Sequence, residues 1–572
     1  MLNRLSGGIA AITILASATA SAQTLYTTVT VDRVVEPALR QAVRPVWTPQ
    51  LLTPAAQDVS LTPAEYTGEG TILNYMTPLP PLLWANTIEH TPYRGYASLG
   101  YFPALNLGAN AGYRFVDTDR SAAGAWMQYN GYQYTRLSES NDFSRDVKMR
   151  NHYVTVGAYG THRFGKSSVL DATLDYTHAS ILRPSWTRED DYTQGSNELN
   201  TRLAWRSRVG RFGYNLEARY QYFGFNDTYT PLSGDYLGEF DNVRQSFTTI
   251  HADLAYLRKD LSQPAKFVLS LEWQNLCSYY SDGHHSYNLL KIFPHFNFGT
   301  GAFRASLGLK PESLPSLFYF SFLLPDIRLS WTPSSLPVSA YANLILDSNM
   351  VPISSLFATD PYINTREVFP EMHTLRLDFG VNLGAFRGFK AKVYASFGVA
   401  DNNPYPHVYA SSPDMPSWSE PYGTIYYLDD QTCWLVGARV DYAYQSLVDA
   451  YVSYEQAVNS NLTPRWYQWL DGAETSLRVH VGARPIPCMH VALDYDLRTG
   501  RRISYYDSND FYGPWDYSLG NASLLDLTAS YDLTPRTTLF LRAENLLNCN
   551  YLLISTLPAQ GIHGLLGATI KF

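Results

Sequence analysis

From Tyr93 almost to Phe572 the side chains alternate between apolar and polar with a period of two. Few folds accept such a pattern over about 480 residues. Met489, Val491, Leu493, Tyr495 and Leu497 alternate with His490, Ala492, Asp494, Asp496 and Arg498. Leu375, Leu377, Phe379, Val381 and Leu383 interleave in the same way with Arg376, Asp378, Gly380 and Asn382. A helix would bring apolar residues back every three or four positions, so these segments read as strands with one apolar and one polar face.

Counted along the chain, such segments number about 22, several of them reaching the roughly 9–11 residues that a tilted transmembrane strand needs. The connections carry a second signal. After even-numbered strands they are mostly short, as at Asp117-Thr118-Asp119, Gly165-Lys166-Ser167, Arg387-Gly388, Gln445-Ser446, Ile486-Pro487 and Thr534-Pro535-Arg536. After odd-numbered strands they are mostly long: 135–149, 179–195, 224–241, 348–372, 401–431, 458–473 and 499–520. Several of the long ones are rich in Tyr, among them Tyr229, Tyr236, Tyr362, Tyr405, Tyr409, Tyr426, Tyr427, Tyr505, Tyr506 and Tyr512. Short turns on the periplasmic side and long loops outside are the habit of bacterial outer-membrane barrels. A soluble propeller or a string of sandwiches would need a blade-length repeat or a shift in composition, and the chain has neither. The expected fold class is therefore all-β: a transmembrane antiparallel up-and-down β-barrel with a short irregular N-terminal extension.

Composition agrees. Charged residues make up 16% of the chain and hydrophobic ones 45%, with 14% aromatic, yet mean hydropathy is −0.21. Soluble proteins carry roughly 25% charged residues. No apolar run beyond the N-terminus approaches the roughly 20 residues of a membrane helix. Strands that give lipid only every second residue satisfy both facts. Tyr113, Tyr176, Tyr220, Tyr256, Tyr495 and Tyr531, near strand ends, suit the aromatic girdles of the two bilayer interfaces.

The first residues read as an export signal. Arg4 supplies the charge, Ile9 to Ala16 the short apolar segment, and Ala20-Ser21-Ala22 the small residues for cleavage before Gln23. Three regions follow: residues 1–22 as signal peptide, 23–92 as a proline-rich periplasmic or lumenal extension, and 93–572 as an outer-membrane barrel. Pro37, Pro45, Pro49, Pro54, Pro63, Pro78, Pro80 and Pro81 keep the extension irregular. A net charge of −8, with Lys and Arg spread along the sequence, argues against nucleic acid as a partner. Cys277, Cys433, Cys488 and Cys549 lack the spacing of a zinc site. An exported chain permits a disulfide, and the strand map sets Cys277, Cys433 and Cys549 near one rim, with their pairing open. Phe572 closes an alternating strand with Ile562, Leu566, Ala568 and Ile570 on its own face, the form that the outer-membrane assembly machinery recognises.

The closing strands carry more. Leu525 to Pro535 (LDLTASYDLTP), then Leu539 to Asn548 (LFLRAENLLN), then Tyr551, Gly564 and Phe572, resemble the end of TonB-dependent receptors of the outer membrane. The likeness is specific over the final strands and architectural over the whole alternating region. It implies a barrel of the number of strands counted above. It also implies an ordered N-terminal plug, whereas about 70 proline-broken residues without Gly- and Arg-rich plug motifs precede the first strand here. The expectation is a plugless receptor-like barrel. Thr28-Val29-Thr30-Val31 matches a TonB-contacting box no better than any short extended stretch, so contact with TonB is doubtful.

Alternation assigns a polar set to the lumen. Candidates include Arg376, Asp378, Arg439, Asp441, His490, Asp494, Asp496, Arg498, Arg542 and Glu544. Asp171, Asp175, Arg202, Arg206, Glu217, Arg219, Asp253, Glu272, Asp449, Glu455 and Asp526 belong with them. Their mixed signs fit cross-strand ion pairs better than a selective ring. Asp494 and Asp496 share a face about 7 Å apart, and Arg498 beside them points to an ion pair rather than acid–base chemistry. His284-His285, placed in a loop, reads as a solvated pair rather than a metal site. No GxSxG elbow, HExxH or P-loop occurs, so no catalytic residue, cofactor or metal is assigned. Two functions follow. The first is uptake or passage of a small solute across the outer membrane, with the outer loops making first contact. The alternative is a non-transporting scaffold whose loops and N-terminal extension bind envelope partner proteins. Either way the partners include outer-membrane lipid and the assembly machinery.

Overall fold

The computed structural model describes residues 93–572 apart from stretches within the connections, the longest at 227–243, 411–423 and 460–472. The expected signal peptide and extension, with Thr28–Val31, lie outside the described residues, as do Tyr229, Tyr236, Tyr362 and Tyr512.

The strands begin with β1 (Gly95–Phe102), β2 (Asn106–Asp117), β3 (Ser121–Ser140), β4 (Phe143–Phe164), β5 (Ser168–Arg183), β6 (Tyr192–Val209), β7 (Phe212–Phe225) and β8 (Arg244–Tyr256). They continue with β9 (Phe267–Tyr279), β10 (His284–Thr300), β11 (Phe303–Leu314), β12 (Tyr319–Trp331), β13 (Val338–Met350), β14 (Glu371–Phe386), β15 (Phe389–Ala410) and β16 (Thr424–Tyr444). The rest are β17 (Val448–Asn459), β18 (Thr475–Ile486), β19 (Met489–Thr499), β20 (Arg502–Asp507), β21 (Trp515–Ser518), β22 (Ala522–Thr534), β23 (Thr537–Glu544) and β24 (His563–Lys571). Each wall strand pairs antiparallel with its neighbours, β19 passes directly to β22, and β24 returns to β1. Setting aside the β20–β21 hairpin, the wall is a closed barrel of 22 strands.

Closure removes the open edges that a sheet of this size would otherwise expose. The seam runs from Tyr96↔Lys571 to Tyr101↔Leu566. Arg94 and Gly95 donate their backbone N–H groups to the Phe572 carbonyl at 2.9 and 2.8 Å. The Phe572 ring stacks on Tyr113 at 6.4 Å. Gly567 matters here, since a Cβ at that position would lie 2.1 Å from the Leu99 carbonyl oxygen.

The two faces of each strand separate as the alternation requires. Leu203, Trp205, Val381, Leu383, Val436, Val440 and Leu566 are exposed on the outside, where an apolar surface suits lipid. Their neighbours on the other face carry the charges. The short turns fall where expected, with positive φ at Gly165, Gly210, Gly388 and Gln445.

Several long connections are partly strand rather than loop. Residues 135–149 are mostly the paired ends of β3 and β4, in register from Arg136↔Val147 to Ser140↔Phe143. Tyr405 and Tyr409 belong to β15, Tyr426 and Tyr427 to β16, and Tyr505 and Tyr506 to β20. Tyr favours strands, and pairing satisfies backbone groups that an irregular loop would leave to water. The β15–β16 hairpin continues past a register shift between Ala400 and Asn403. Its β15 arm then pairs in parallel with β20, from His407↔Ser504 to Ala410↔Asp507. His284 and His285, expected in a loop, open β10 and pair with Tyr279 and Ser278. All four cysteines are free thiols.

Candidate functional site

The connection after β13 does not leave the barrel. It turns inward and forms helix α1 (Ile353–Thr359), begun by Pro352 in an extended conformation and ended at Asp360. Ile353, Leu356 and Phe357 fall on one face of this short helix, and all three are buried. They pack in one cluster with Val147, Met149 and Tyr153 of β4, Ala179 and Ile181 of β5, and Phe223 and Phe225 of β7. Phe357 lies 5.0 Å from the Phe223 ring and 5.7 Å from the Phe225 ring.

Every one of those wall residues is on the inward face, because Val154, Leu174 and Tyr220, in the opposite phase of the same strands, are exposed outside. The segment is thus a strap rooted on β13 and docked inside the wall formed by β4 to β9. Three glutamines fix its course. Gln274 Oε1 accepts the Met350 N–H at 3.0 Å, Gln245 Oε1 the Ile353 N–H at 2.7 Å, and Gln221 Oε1 the Ser354 hydroxyl at 2.7 Å. They belong to β9, β8 and β7, so the strap crosses successive strands as it advances. Buried donors left without partners would each cost about 1–3 kcal/mol, and these acceptors remove that cost.

A second infolded segment meets the first. Between β23 and β24 the chain carries Leu557, fully buried in the same apolar cluster as Phe357. The Tyr134 hydroxyl of β3 donates to the Pro558 carbonyl at 2.8 Å. Arg136 donates to the carbonyls of Asn548 and Cys549 at 3.0 and 2.9 Å, and Arg501 to that of Leu552 at 2.8 Å. Asn545, the first Asn of the Glu544–Asn548 segment, organises the whole connection. At φ 50° its side chain accepts the Cys549 N–H at 2.8 Å and donates to the carbonyls of Cys549 and Gln560 at 3.0 and 2.8 Å. Its own N–H donates to Asp526 at 2.8 Å. Asn tolerates this left-handed conformation better than most residues and supplies both a donor and an acceptor.

Below these two segments the wall is lined by paired charges. Arg376 meets Asp378 at 2.9 Å, Arg439 meets Asp441 at 2.6 Å, and Arg498 meets Asp496 at 2.9 Å. Arg542 pairs with Glu544, which His563 also contacts at 2.7 Å. In each arginine–carboxylate pair the partners are two residues apart on one strand, the spacing that puts them on the same face. Asp494 does not share Arg498; it contacts His480 at 2.6 Å, and Asp449 contacts the other ring nitrogen at 3.1 Å. His490 follows the same inward phase on β19.

In the first half Arg206 meets Asp171 at 2.5 Å, Arg202 meets Glu217 at 2.8 Å, and Arg219 also pairs with Glu217. Asp175 accepts from Asn200 at 3.0 Å, Asp253 contacts His251 at 3.0 Å, and Glu455 accepts from Tyr394 at 2.5 Å. Glu272 connects through Lys291 at 3.3 Å to Asp347 at 3.0 Å. Lys310 extends that network from Asp347 at 3.4 Å to Asp326 at 3.5 Å.

Lys291, Lys310, Asp326, Arg328 and Asp347 are members that sequence reading missed, although the Asp326–Arg328 spacing repeats the two-residue signal. The strap was missed too, yet Ile353, Leu356 and Phe357 stand at helical spacing inside what reads as a loop. Among the described residues no group of three His, Cys, Asp or Glu side chains is arranged to hold a metal ion.

No protein-family model matches the chain, and no curated protein sequence does. Solved structures do match. A mutant of the ferric enterobactin receptor PfeA from Pseudomonas aeruginosa aligns with a TM-score of 0.61 at 10% identity, over 85% of this chain and 81% of that one. The siderophore receptor PirA from Acinetobacter baumannii gives 0.61 at 8%, over 84% and 80%. The outer-membrane transporter YddB from Escherichia coli gives 0.57 at 10%, over 85% and 81%. The chain therefore has the barrel fold of outer-membrane receptors and transporters, the TonB-dependent receptor-like architecture that its closing strands resemble.

Proposed function

We propose that this chain passes a small solute across the outer membrane, and that the docked strap sets the width of the path. The observation that supports the reading is the placement of α1 and Leu557 inside a wide barrel. A 22-stranded wall encloses a broad water-filled lumen unless something occupies it, and here the chain's own connections occupy the end that bears the long loops. In this reading that end faces outward and the short turns face the periplasm. Residues 1–22 direct export, residues 23–92 are a periplasmic or lumenal extension, and Phe572 engages the assembly machinery. The paired charges hold the polar wall in place, the function needs no catalytic residue or cofactor, and TonB is no part of the proposal.

Conductance of the purified full chain in planar bilayers tests the reading. Replacing residues 353–359 with a flexible Gly/Ser segment enlarges or prolongs the openings if the strap limits the path. A second reading, a scaffold that binds envelope proteins, draws support from the parallel pairing of β15 with β20, which joins two connections into one sheet at the same rim. Barrels silent with and without the strap, recovered with stoichiometric partner proteins, would replace the first reading with the second.

A further inference from the structure

The two rims of the barrel differ in charge as much as in length of connection. Among the described residues, the segments joining wall strands at the short-turn rim hold Arg120, Arg211, Arg258, Lys266 and Arg536 against Asp119, whereas those at the long-loop rim hold Arg501 and Arg502 against Asp360, Glu474, Asp507 and Asp516. Along the sequence these basic residues look scattered. The meander gathers them, because every second connection returns to the same end.

Among the described residues Arg94, Arg120, Arg211 and Arg536 are exposed at that rim. Backbone bonds tie neighbouring turns together. The carbonyls of Arg94, Arg120, Arg211 and Arg536 accept the N–H groups of Arg114, Arg163, Leu257 and Lys571 at 2.7–2.8 Å. Those bonds hold the arginines at one level around the rim. Exposed rings flank them on the lipid-facing side: Phe164, Phe212, Phe389, Tyr444, Tyr531 and Phe572. Aromatic residues of this kind mark the boundary between hydrocarbon and headgroups, so the guanidinium groups stand at headgroup depth. The nearby carboxylates do not neutralise them all. Asp117 is engaged with Arg114 at 3.2 Å, and Asp532 accepts the Thr538 hydroxyl at 2.6 Å.

We propose that this basic collar binds the phosphate headgroups of anionic phospholipids in the leaflet at the short-turn rim. A guanidinium offers planar paired donors that match phosphate oxygens. The aromatic belt beside it receives the upper acyl chain. The acidic connections at the other rim repel the same lipids, so the preference is confined to one leaflet and favours one orientation of the barrel. The inference rests on the barrel spanning a membrane and is independent of any solute.

Native mass spectrometry of the full chain, equilibrated in detergent with equimolar phosphatidylcholine and phosphatidylglycerol, tests it. The wild type retains phosphatidylglycerol in preference to phosphatidylcholine. The triple variant Arg120→Gln, Arg211→Gln, Arg536→Gln loses that preference by roughly fivefold per charge at low ionic strength, and salt weakens the wild-type preference in the same direction. A control with Lys148→Gln and Arg244→Gln, at the other rim, retains it. Arg536→Glu alone, which alters a single exposed turn, gives a second reading should the triple variant fail to fold. Equal retention of the two lipids by the wild type, or equal losses in the collar and control variants, would overturn the proposal.

Discussion

Phe357→Ala separates the strap from the barrel that holds it. Phe357 lies against Phe223 and Phe225 in a buried cluster with β4, β5 and Leu557, but it makes no bond in the wall ladder. Truncating a packed Phe to Ala costs about 3–5 kcal/mol. That loss falls on the docked strap relative to the undocked one. With each 1.4 kcal/mol worth a factor of ten, the docking equilibrium moves by about a hundredfold to several thousandfold. The barrel's own unfolding should not move, because its pairing is intact. The assay is single-channel recording on wild type and variant in the same bilayer, with heat-modifiable gel mobility as the check on folding. Longer or larger openings in a normally folded variant are expected. Unchanged openings, with the barrel folded, would refute the claim that the strap restricts the lumen. An equal fall in barrel stability would refute the separation between strap and wall.

Gln245→Ala removes the acceptor for the Ile353 N–H and should open the channel less than Phe357→Ala does, by about 1–3 kcal/mol of docking energy; the same recordings rank the two. Asn545→Ala deletes three side-chain bonds that hold the last connection and should raise proteolytic cleavage between residues 545 and 562 while the wall stays resistant. Removing Phe572 leaves Arg94 and Gly95 without their carbonyl partner at the seam and should lower the fraction of chain assembled in membranes, read as loss of the heat-modifiable band. Gly567→Val should block closure outright, since even a Cβ there meets the Leu99 carbonyl, and no folded band is expected.

The wall was legible because its rule is local. Alternation at Arg376–Leu383 or Met489–Arg498 reports the two faces without knowledge of any neighbour, and pairs two residues apart, such as Arg439 and Asp441, can be read from the same spacing. What escaped depends on distance. Nothing next to Gln245 in sequence announces that it receives Ile353, 108 residues away. The partner of Asp494 is His480 on another strand rather than Arg498 nearby. Parts of the connections at 401–431 and 499–520 were misread because Tyr-rich segments can be solvated loop or paired strand, and the choice is made by the neighbouring segment. The basic collar was hidden in plain order: single arginines at intervals of tens of residues say nothing until the meander brings alternate turns to one end.

The reach of the infolded segments also bears on the order in which the molecule comes together. The strap finds its glutamines 76 to 133 residues back along the chain, and Pro558 meets Tyr134 across 424. Loop-closure cost grows with sequence separation, so contacts form later the further apart their partners stand. The seam from Tyr96↔Lys571 to Tyr101↔Leu566 joins residues further apart still, so by the same rule the strap docks on β7 to β9 before the wall seals, and the connection that carries Leu557 joins it as β24 meets β1. Docking of Leu557 beside Phe357 then serves as a record that the first and last strands have met, because a barrel left unsealed would keep Tyr134 and Pro558 apart.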